Sequence, residues 1–492
     1  MSKNNFKLNN IEKYKKRTPI ITILGHVNHG KTSILNEILL LNNKNINLNE
    51  YGNITQYIKY FYIKTKFGFM TFLDTPGHED FIYMRNIGAK ITDIVILVIA
   101  ADDGIKLQTI ECINYIKNFN IPSVIVINKI DKDINLYNSN KIIGDLYKYN
   151  IISDKLGGEY QFINISSKNK IGIDNLLEAI YLQSEMINLN SNIESNTPEG
   201  IVLESFIDNR GPIISLIVKK GIFKIGDNII CNNNIGKIKL INSTDGYLEY
   251  ALPSMPIEIL GLNNISNIGE KIYVYNNKNK INFIYKSEKS KTKDISIIKP
   301  STNDINIILK TNVKGICDVI INSLKKIDLN IKFISHSIGK INKNDINMAI
   351  ITKSIILGFN IKVNLNILKL IKINNIFFEN YFIIYDLIDK VKSIISERKN
   401  NIILENIKGS ALVKNIFNIK NVGIISGCEI TYGIIKVNNN IKIIRNNINI
   451  YEGKLESIKL FKENILEAKK GMKCGLYIKF NNIKINDKIN SY

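Results

Sequence analysis

Four short clusters along this 492-residue chain combine glycine, lysine, hydroxyl and carboxylate groups at spacings that suit a nucleotide. Gly25-His26-Val27-Asn28-His29-Gly30-Lys31-Thr32 follows the apolar run Ile20–Leu24 and opens a helical pattern. Glycines there let main-chain N–H groups close around phosphate, and a helix N-terminus adds a positive dipole. Lys31 is placed to reach the β- and γ-phosphates, and Thr32 to put its hydroxyl on Mg2+. Asp74-Thr75-Pro76-Gly77-His78 ends the run Thr71–Leu73, which sets a carboxylate for the same ion through water and the Gly77 amide for the γ-phosphate. Asn128-Lys129-Ile130-Asp131 follows Val124–Ile127, and the Asp131 carboxylate suits guanine's N1–H and 2-amino donors, which adenine lacks. The wrong base would leave that charge unpaired, which discriminates strongly. Ser166-Ser167-Lys168 follows Phe162–Ile165 and can offer main-chain N–H to the guanine O6. Four clusters in this order, each at a strand end, predict a GTP- and GDP-binding domain. Between the first two lies Asn53-Ile54-Thr55-Gln56, where Thr55 suits an Mg2+ ligand made only when the γ-phosphate is present. Threonine is also commonplace in asparagine-rich loops, and spacing alone leaves both readings open.

The elements that must hold these clusters read as several domains, since about 150 residues per domain is the ordinary allotment. Residues 1–17 are polar and basic and read as a tail. Residues 18–190 alternate short β-branched runs with helical periods, the pattern of a parallel sheet with crossover helices. Residues 191–200 read as a linker, and 200–297 as a β-barrel of short strands with glycine turns, its last part, from Asn276, polar like a second linker that runs to Thr302. Strand and helix patterns return over 303–380, with strands at Ile305–Leu309 and Ile355–Leu357 and a helix at Ile316–Lys325. A connector helix over 381–400 keeps Ile383, Ile384, Leu387, Ile388, Val391, Ile394 and Ile395 on one face. Residues 402–492 read as a second β-barrel. Gly221–Ile229 matches Gly433–Ile441 at five of nine positions, which favours two related barrels over chance in an Ile/Asn/Lys-rich chain.

Composition bounds the rest. A formal charge of +22 suggests a polyanionic partner, although Ile, Asn and Lys are residues of A/T-rich codons and many lysines could be drift on a solvated surface. The five cysteines are scattered with no CxxC pair, which points to reduced thiols and away from zinc. No stretch approaches ~20 apolar residues, so no membrane-spanning helix is expected. The opening MSKNNFKLNN has no signal-peptide core, so a place in the cytoplasm, or in an organelle interior if organelle-encoded, is expected; a monomer is expected as well.

From Thr18 onward the chain resembles the bacterial translation initiation factor two family, in GHVNHGKT, NITQYI, FLDTPGHEDFIYMRNIGAKITDIVILVIAADDG, QTIE, INKIDK, EGIVLES, IIYDLID, GCEIT and YEGKLES. The resemblance implies a short form without the family's long N-terminal extension. It also implies a multidomain fold: a P-loop GTPase domain, a β-barrel, an αβα domain, a connecting helix and a C-terminal β-barrel. The implied function is to bind GTP, promote binding of formylmethionyl initiator tRNA to the small ribosomal subunit and subunit joining, and hydrolyse GTP on the ribosome. Thr55 then matches the switch I magnesium ligand, and His78 the histidine that orients the attacking water, with Val27 and Ile54 as an apolar gate around it or as ordinary packing beside the loop. Asn28 stands where the family usually has Asp, and keeps an amide oxygen for a monovalent cation beside the phosphates. Cys428, Lys459, Phe461, Cys474 and Gly475 match the pocket for the formylmethionyl end, although the cysteines also suit small buried core positions. Leu460 replaces the family's basic residue and Lys473 its acidic one, which puts formyl selectivity in question. A hydrolysis-deficient GTP-binding RNA scaffold and another ribosome-dependent translational GTPase are the alternatives; intact Thr55, Gly77 and His78 oppose the first, and the αβα domain with its helix opposes the second.

Overall fold

Isoleucine- and valine-rich runs supply the inner strands of a six-stranded sheet whose edge carries all four clusters. The computed structural model describes residues 16–42, 52, 54–132, 137–191, 193, 195, 197–275, 304–405, 407–419, 423–446, 448–461 and 463–492. Residues 1–15 of the expected tail, Asn53 and the linker over 276–303 lie outside the described residues. Lys16 and Arg17 do not behave as tail: Arg17 forms a two-pronged ion pair with Asp93 at 2.5 and 2.6 Å, and Lys16 pairs with Glu185. The chain divides into two compact units, Met1–Ile388 and Asp389–Tyr492.

In the first unit the strands are β1 (Ile20–Gly25), β2 (Lys59–Thr65), β3 (Gly68–Asp74), β4 (Ile94–Ala100), β5 (Ser123–Asn128) and β6 (Gln161–Asn164). Their order is β2-β3-β1-β4-β5-β6, with only β2 antiparallel to its neighbour. Helices α1 (Lys31–Leu41), α2 (Ile82–Ile91), α3 (Leu107–Asn118), α4 (Tyr137–Tyr147) and α5 (Ile173–Ile187) alternate with them. Every residue of β1, β4 and β5 is buried, as continuous apolar runs require when helices cover both faces. Such sheets place their ligand-binding loops beyond the carboxyl ends of the strands. All four clusters lie there.

Residues 199–275 form a closed barrel. Its strands follow in the order Asn228–Cys231, Lys271–Val274, Glu199–Asp208, Gly211–Lys220, Pro256–Leu262 and Asn234–Ser243, and the last pairs back to the first. Four parallel strands, Ile331–Ile338, Ile305–Thr311, Ile355–Phe359 and Phe378–Tyr381 in spatial order, make the αβα domain with helices Lys314–Ile327, Lys343–Thr352 and Leu365–Ile373. The connector helix spans Ile384–Glu405 rather than 381–400. Its start is displaced because Tyr381 is claimed by the sheet, opposite Phe359. It also runs past residue 402, where the second barrel was expected, because no glycine or proline interrupts the chain before Gly409, the first residue of the barrel.

In the second unit, Gly409–Ile419, Lys488–Ser491, Asn440–Arg445, Ile448–Leu460, Lys473–Ile478 and Gly423–Lys436 close a second ring. The sequence echo has a structural counterpart. Gly221 and Gly433 both adopt positive φ (67° and 61°), as do Gly226 and Asn438 five residues on (93° and 67°). Phe223 pairs with buried Ala251, and Ile435 with buried Ala468. The Gly226 N–H donates to Ile238 O and the Asn438 N–H to Leu455 O, both at 2.8 Å. Shared main-chain bonding of this kind supports two related barrels.

Candidate functional site

The glycines of the first loop are there because nothing larger fits. A Cβ on Gly25 would stand 2.4 Å from Val98 O, and one on Gly30, at φ 89°, 2.2 Å from Asn128 Nδ2. Asn128 Nδ2 donates to His29 O (2.9 Å) and its Oδ1 accepts from the Ser167 N–H (3.3 Å), so one buried amide ties the phosphate loop to both base-reading clusters. Lys31 lies back along the loop, donating to His26 O (2.6 Å) and Gly25 O (3.0 Å). Burial lowers its ammonium to about 8, and a phosphate in the loop would favour the charged form again.

Thr32, Thr55 and Asp74 converge although they are far apart in sequence. Thr32 Oγ1 lies 2.9 Å from Thr55 Oγ1 and donates to Asp74 Oδ2 at 3.1 Å, and Thr55 Oγ1 donates to the same oxygen at 3.5 Å. Ligands at roughly 2.0–2.1 Å around an octahedral Mg2+ stand about 2.9 Å apart, so these hard oxygens fit that ion. Among the described residues no cluster of three His, Cys, Asp or Glu side chains competes as a metal site.

A cavity of about 440 Å3 joins the clusters. Val27, Asn28, Gly30, Lys31, Thr32, Ile54, Thr55, Gly77 and His78 line one end, and Asn128, Lys129, Asp131, Ser167 and Lys168 the other. The Ser166 hydroxyl donates to Asp131 Oδ1 at 2.6 Å, which lowers that carboxyl below its ordinary range and fixes its direction. Gly25, His29, Asp74, Thr75, Pro76 and Ser166 are buried and do not line the cavity, nor do the half-buried His26 and Ile130. The buried imidazole of His29 faces Val98 O and Asp103, and burial pushes it down to about 4, so this residue serves the loop through its main chain. Burial also lowers His26, whose ring meets that of His29 edge-on at 5.0 Å.

Several supports were not legible as motifs. Arg85 on α2 is buried, donates to the carbonyls of Pro76 and His78, and is held in turn by Glu111 on α3 at 2.9 and 3.0 Å. Gln108, in the same QTIE stretch, accepts from the Val27 N–H at 3.1 Å. Tyr385, Ser33 and Lys132 also line the cavity. His78 Nδ1 accepts from the Asp80 N–H, and its ring lies 4.6 Å from that of Tyr385.

In the second unit Cys428, Lys459, Phe461, Cys474 and Gly475 line one cavity of about 670 Å3, together with Lys414, Phe417, Ile425, Glu429 and Lys473. Cys428 stands directly opposite Cys474 on neighbouring strands, and burial pushes their thiols up to about 12 and about 11. The next pair of that ladder is Glu429 opposite Lys473, so the lysine in place of the family's acidic residue faces a carboxylate. Leu460 is opposite Glu463 and does not line the cavity. Phe461 is 97% exposed and adopts φ 54°, an uncommon conformation for a bulky residue.

Residues 16–185 match the family model described as elongation factor Tu GTP binding domain, 197–275 elongation factor G domain 2, and 281–392 translation-initiation factor 2. Translation initiation factor IF-2 of Buchnera aphidicola subsp. Schizaphis graminum is 43% identical over 96% of this chain, and that of Proteus vulgaris 36% identical over 96%. The chain belongs to the translation initiation factor IF-2 family. It spans 56% and 53% of the length of those two IF-2 relatives. GDP-bound aIF5B from Aeropyrum pernix aligns at 19% identity and TM-score 0.47, covering 97% of this chain and 92% of that one. Among the described residues no helix is long and apolar enough to cross a membrane.

Proposed function

We propose that the chain is a ribosome-stimulated GTPase of translation initiation. The observation that carries this reading is one cavity with Thr32, Thr55 and His78 at its phosphate end and Asp131 at its base end. Thr32 and Thr55 would hold Mg2+, with Asp74 reaching it through water, and the ion would supply charge neutralisation on the phosphates. Gly77 presents its amide to the γ-phosphate, and Val27 and Ile54 form the apolar gate beside His78. His78 directs the attacking water. Asn28, exposed at φ 62° on the loop, offers an amide oxygen to a monovalent cation. The deciding experiment is hydrolysis by His78→Ala. GTP binding should persist while ribosome-stimulated turnover falls by several orders of magnitude; near-wild-type single turnover would remove His78 from that role.

The partners we propose are the ribosomal subunits and formylmethionyl initiator tRNA, the latter held by Cys428, Lys459, Phe461, Cys474 and Gly475. A formylated amine is uncharged, whereas a free ammonium set against the buried Cys428 and Cys474 thiols would give up water. The pocket's lysines add salt-dependent affinity for acceptor-stem phosphates. Binding of formylated and unformylated tRNA to the full chain, repeated with Leu460→Arg, tests this. Equal binding of both forms would mean that formyl selectivity is lost.

A further inference from the structure

The nucleotide cavity is finished by a residue from outside the GTP-binding domain. Tyr385 lies in the first turn of the helix Ile384–Glu405, yet it lines the phosphate end of the cavity with Val27, Ile54, Gly77 and His78. Its ring meets the His78 imidazole at a centroid distance of 4.6 Å and 54° between planes. The histidine is held on its other side as well. Nδ1 accepts from the Asp80 N–H at 3.4 Å and lies 3.4 Å from an Asp80 carboxylate oxygen, while Asp80 accepts from Ser323 Oγ at 2.8 Å. The imidazole is therefore held on two sides, with Nδ1 on its own turn and a tyrosine ring tilted against it, while a third of the side chain stays exposed.

The helix turn that carries Tyr385 is itself tied to the loop that carries Thr55. Gln56 is 1% exposed. Its Nε2 donates to Phe382 O at 2.9 Å, and its Oε1 accepts from the Ile384 N–H at 3.1 Å. The amide therefore grips the main chain on both sides of Ile383, immediately before Tyr385. The adjacent Tyr57 hydroxyl is met by Asn312 Nδ2 at 3.1 Å and Asn360 Nδ2 at 2.9 Å, which holds the same loop against the αβα domain. Gln56 thus links the loop of Thr55 to the helix turn whose tyrosine ring packs against His78.

We propose that Tyr385 is a positioning residue for hydrolysis: its ring holds His78 in a resting place, and the hold is released when the Gln56 grip on the helix start shifts. This rests on the GTPase reading above. The test is GTP hydrolysis by the full chain with and without ribosomes, for wild type, Y385A, Y385F, H78A and the H78A/Y385A double variant. Y385A should raise the ribosome-free kcat roughly tenfold at unchanged KM, the scale of losing one aromatic contact. Y385F keeps the ring and should match wild type. The double variant should not exceed H78A, because the gain runs through the histidine. A Y385A rate at or below wild type, an equal gain in the H78A background, or Y385F behaving as Y385A each overturns the proposal. Y385L, which fills the space without an aromatic face, replaces Y385A if circular dichroism shows the latter unfolded. A wild-type chain that turns over no GTP even on ribosomes would overturn the proposed function instead, so the two failures are distinct.

Discussion

Asp131 is exposed in its loop, and the Ser166 hydroxyl fixes which way its carboxylate faces. That geometry suits two guanine donors. Asp131→Asn should shift preference towards xanthine nucleotides, whose C2 oxygen accepts where guanine donates, as read by competition with a labelled GDP. Retained GTP preference would refute the base assignment. Gly30 is the sharper steric case. Alanine there meets Asn128 Nδ2 at 2.2 Å in a left-handed conformation, and the amide it displaces is the one joining loop and base clusters. Gly30→Ala should weaken nucleotide binding by roughly 5- to 150-fold, since strain of about 1–3 kcal/mol is added where the backbone must close on phosphate. Equilibrium titration with a fluorescent GDP analogue measures it.

Among elements, the pairing of α2 with α3 is what anchors the loop bearing His78. Arg85 is 1% exposed and its partner Glu111 is also met by the Tyr115 hydroxyl at 2.9 Å, so removing the guanidinium strands a carboxylate and two carbonyls. Arg85→Met should cost roughly 3 kcal/mol, at the low end for a broken buried pair because Glu111 keeps some solvent. It should also slow hydrolysis with little change in GTP affinity; the unfolding midpoint and the turnover rate report the two effects separately. Arg85 also marks the limit of what could be read from sequence. The phosphate loop and the Asp131 cluster are contiguous and sit at strand ends, so their chemistry is written in adjacent residues. Arg85 with Glu111, Gln56 with Ile384 and Tyr385 with His78 are long-range pairs with no spacing rule behind them. The connector helix shows the same limit: its apolar stripe was legible, whereas its start depended on Tyr381 pairing with Phe359, a tertiary choice.

At the scale of the first unit, a buried carboxylate lies where the first barrel meets the αβα domain. Glu204 Oε1 accepts from the Gly315 N–H at 3.0 Å and the Ser205 N–H at 2.9 Å, yet burial dominates and raises the acid to about 7. The fold therefore favours the protonated form. Its stabilisation is complete below the unfolded value of about 4.5 and is lost as pH rises through about 7, on the order of 3 kcal/mol in all. Melting temperature measured from pH 5 to 8 should fall faster with pH for wild type than for Glu204→Gln, which keeps an oxygen for Gly315. Parallel pH profiles would exclude this carboxylate as the source.

Both barrels close their strands into rings, and this matters for a chain with such a composition. Isoleucine-rich strands interspersed with asparagine are the material of fibrils, in which exposed strand edges recruit further copies and asparagine ladders lock them. The ring strands pair on both sides, which leaves only short flanking strands such as Gly246–Leu248 and Glu467–Lys469, among the described residues of the two barrels, for a second molecule to extend. Codon drift towards isoleucine and asparagine can therefore accumulate in these strands without creating a seed for polymerisation, and closure acts as the safeguard under which the sequence could wander while the pockets stayed in place.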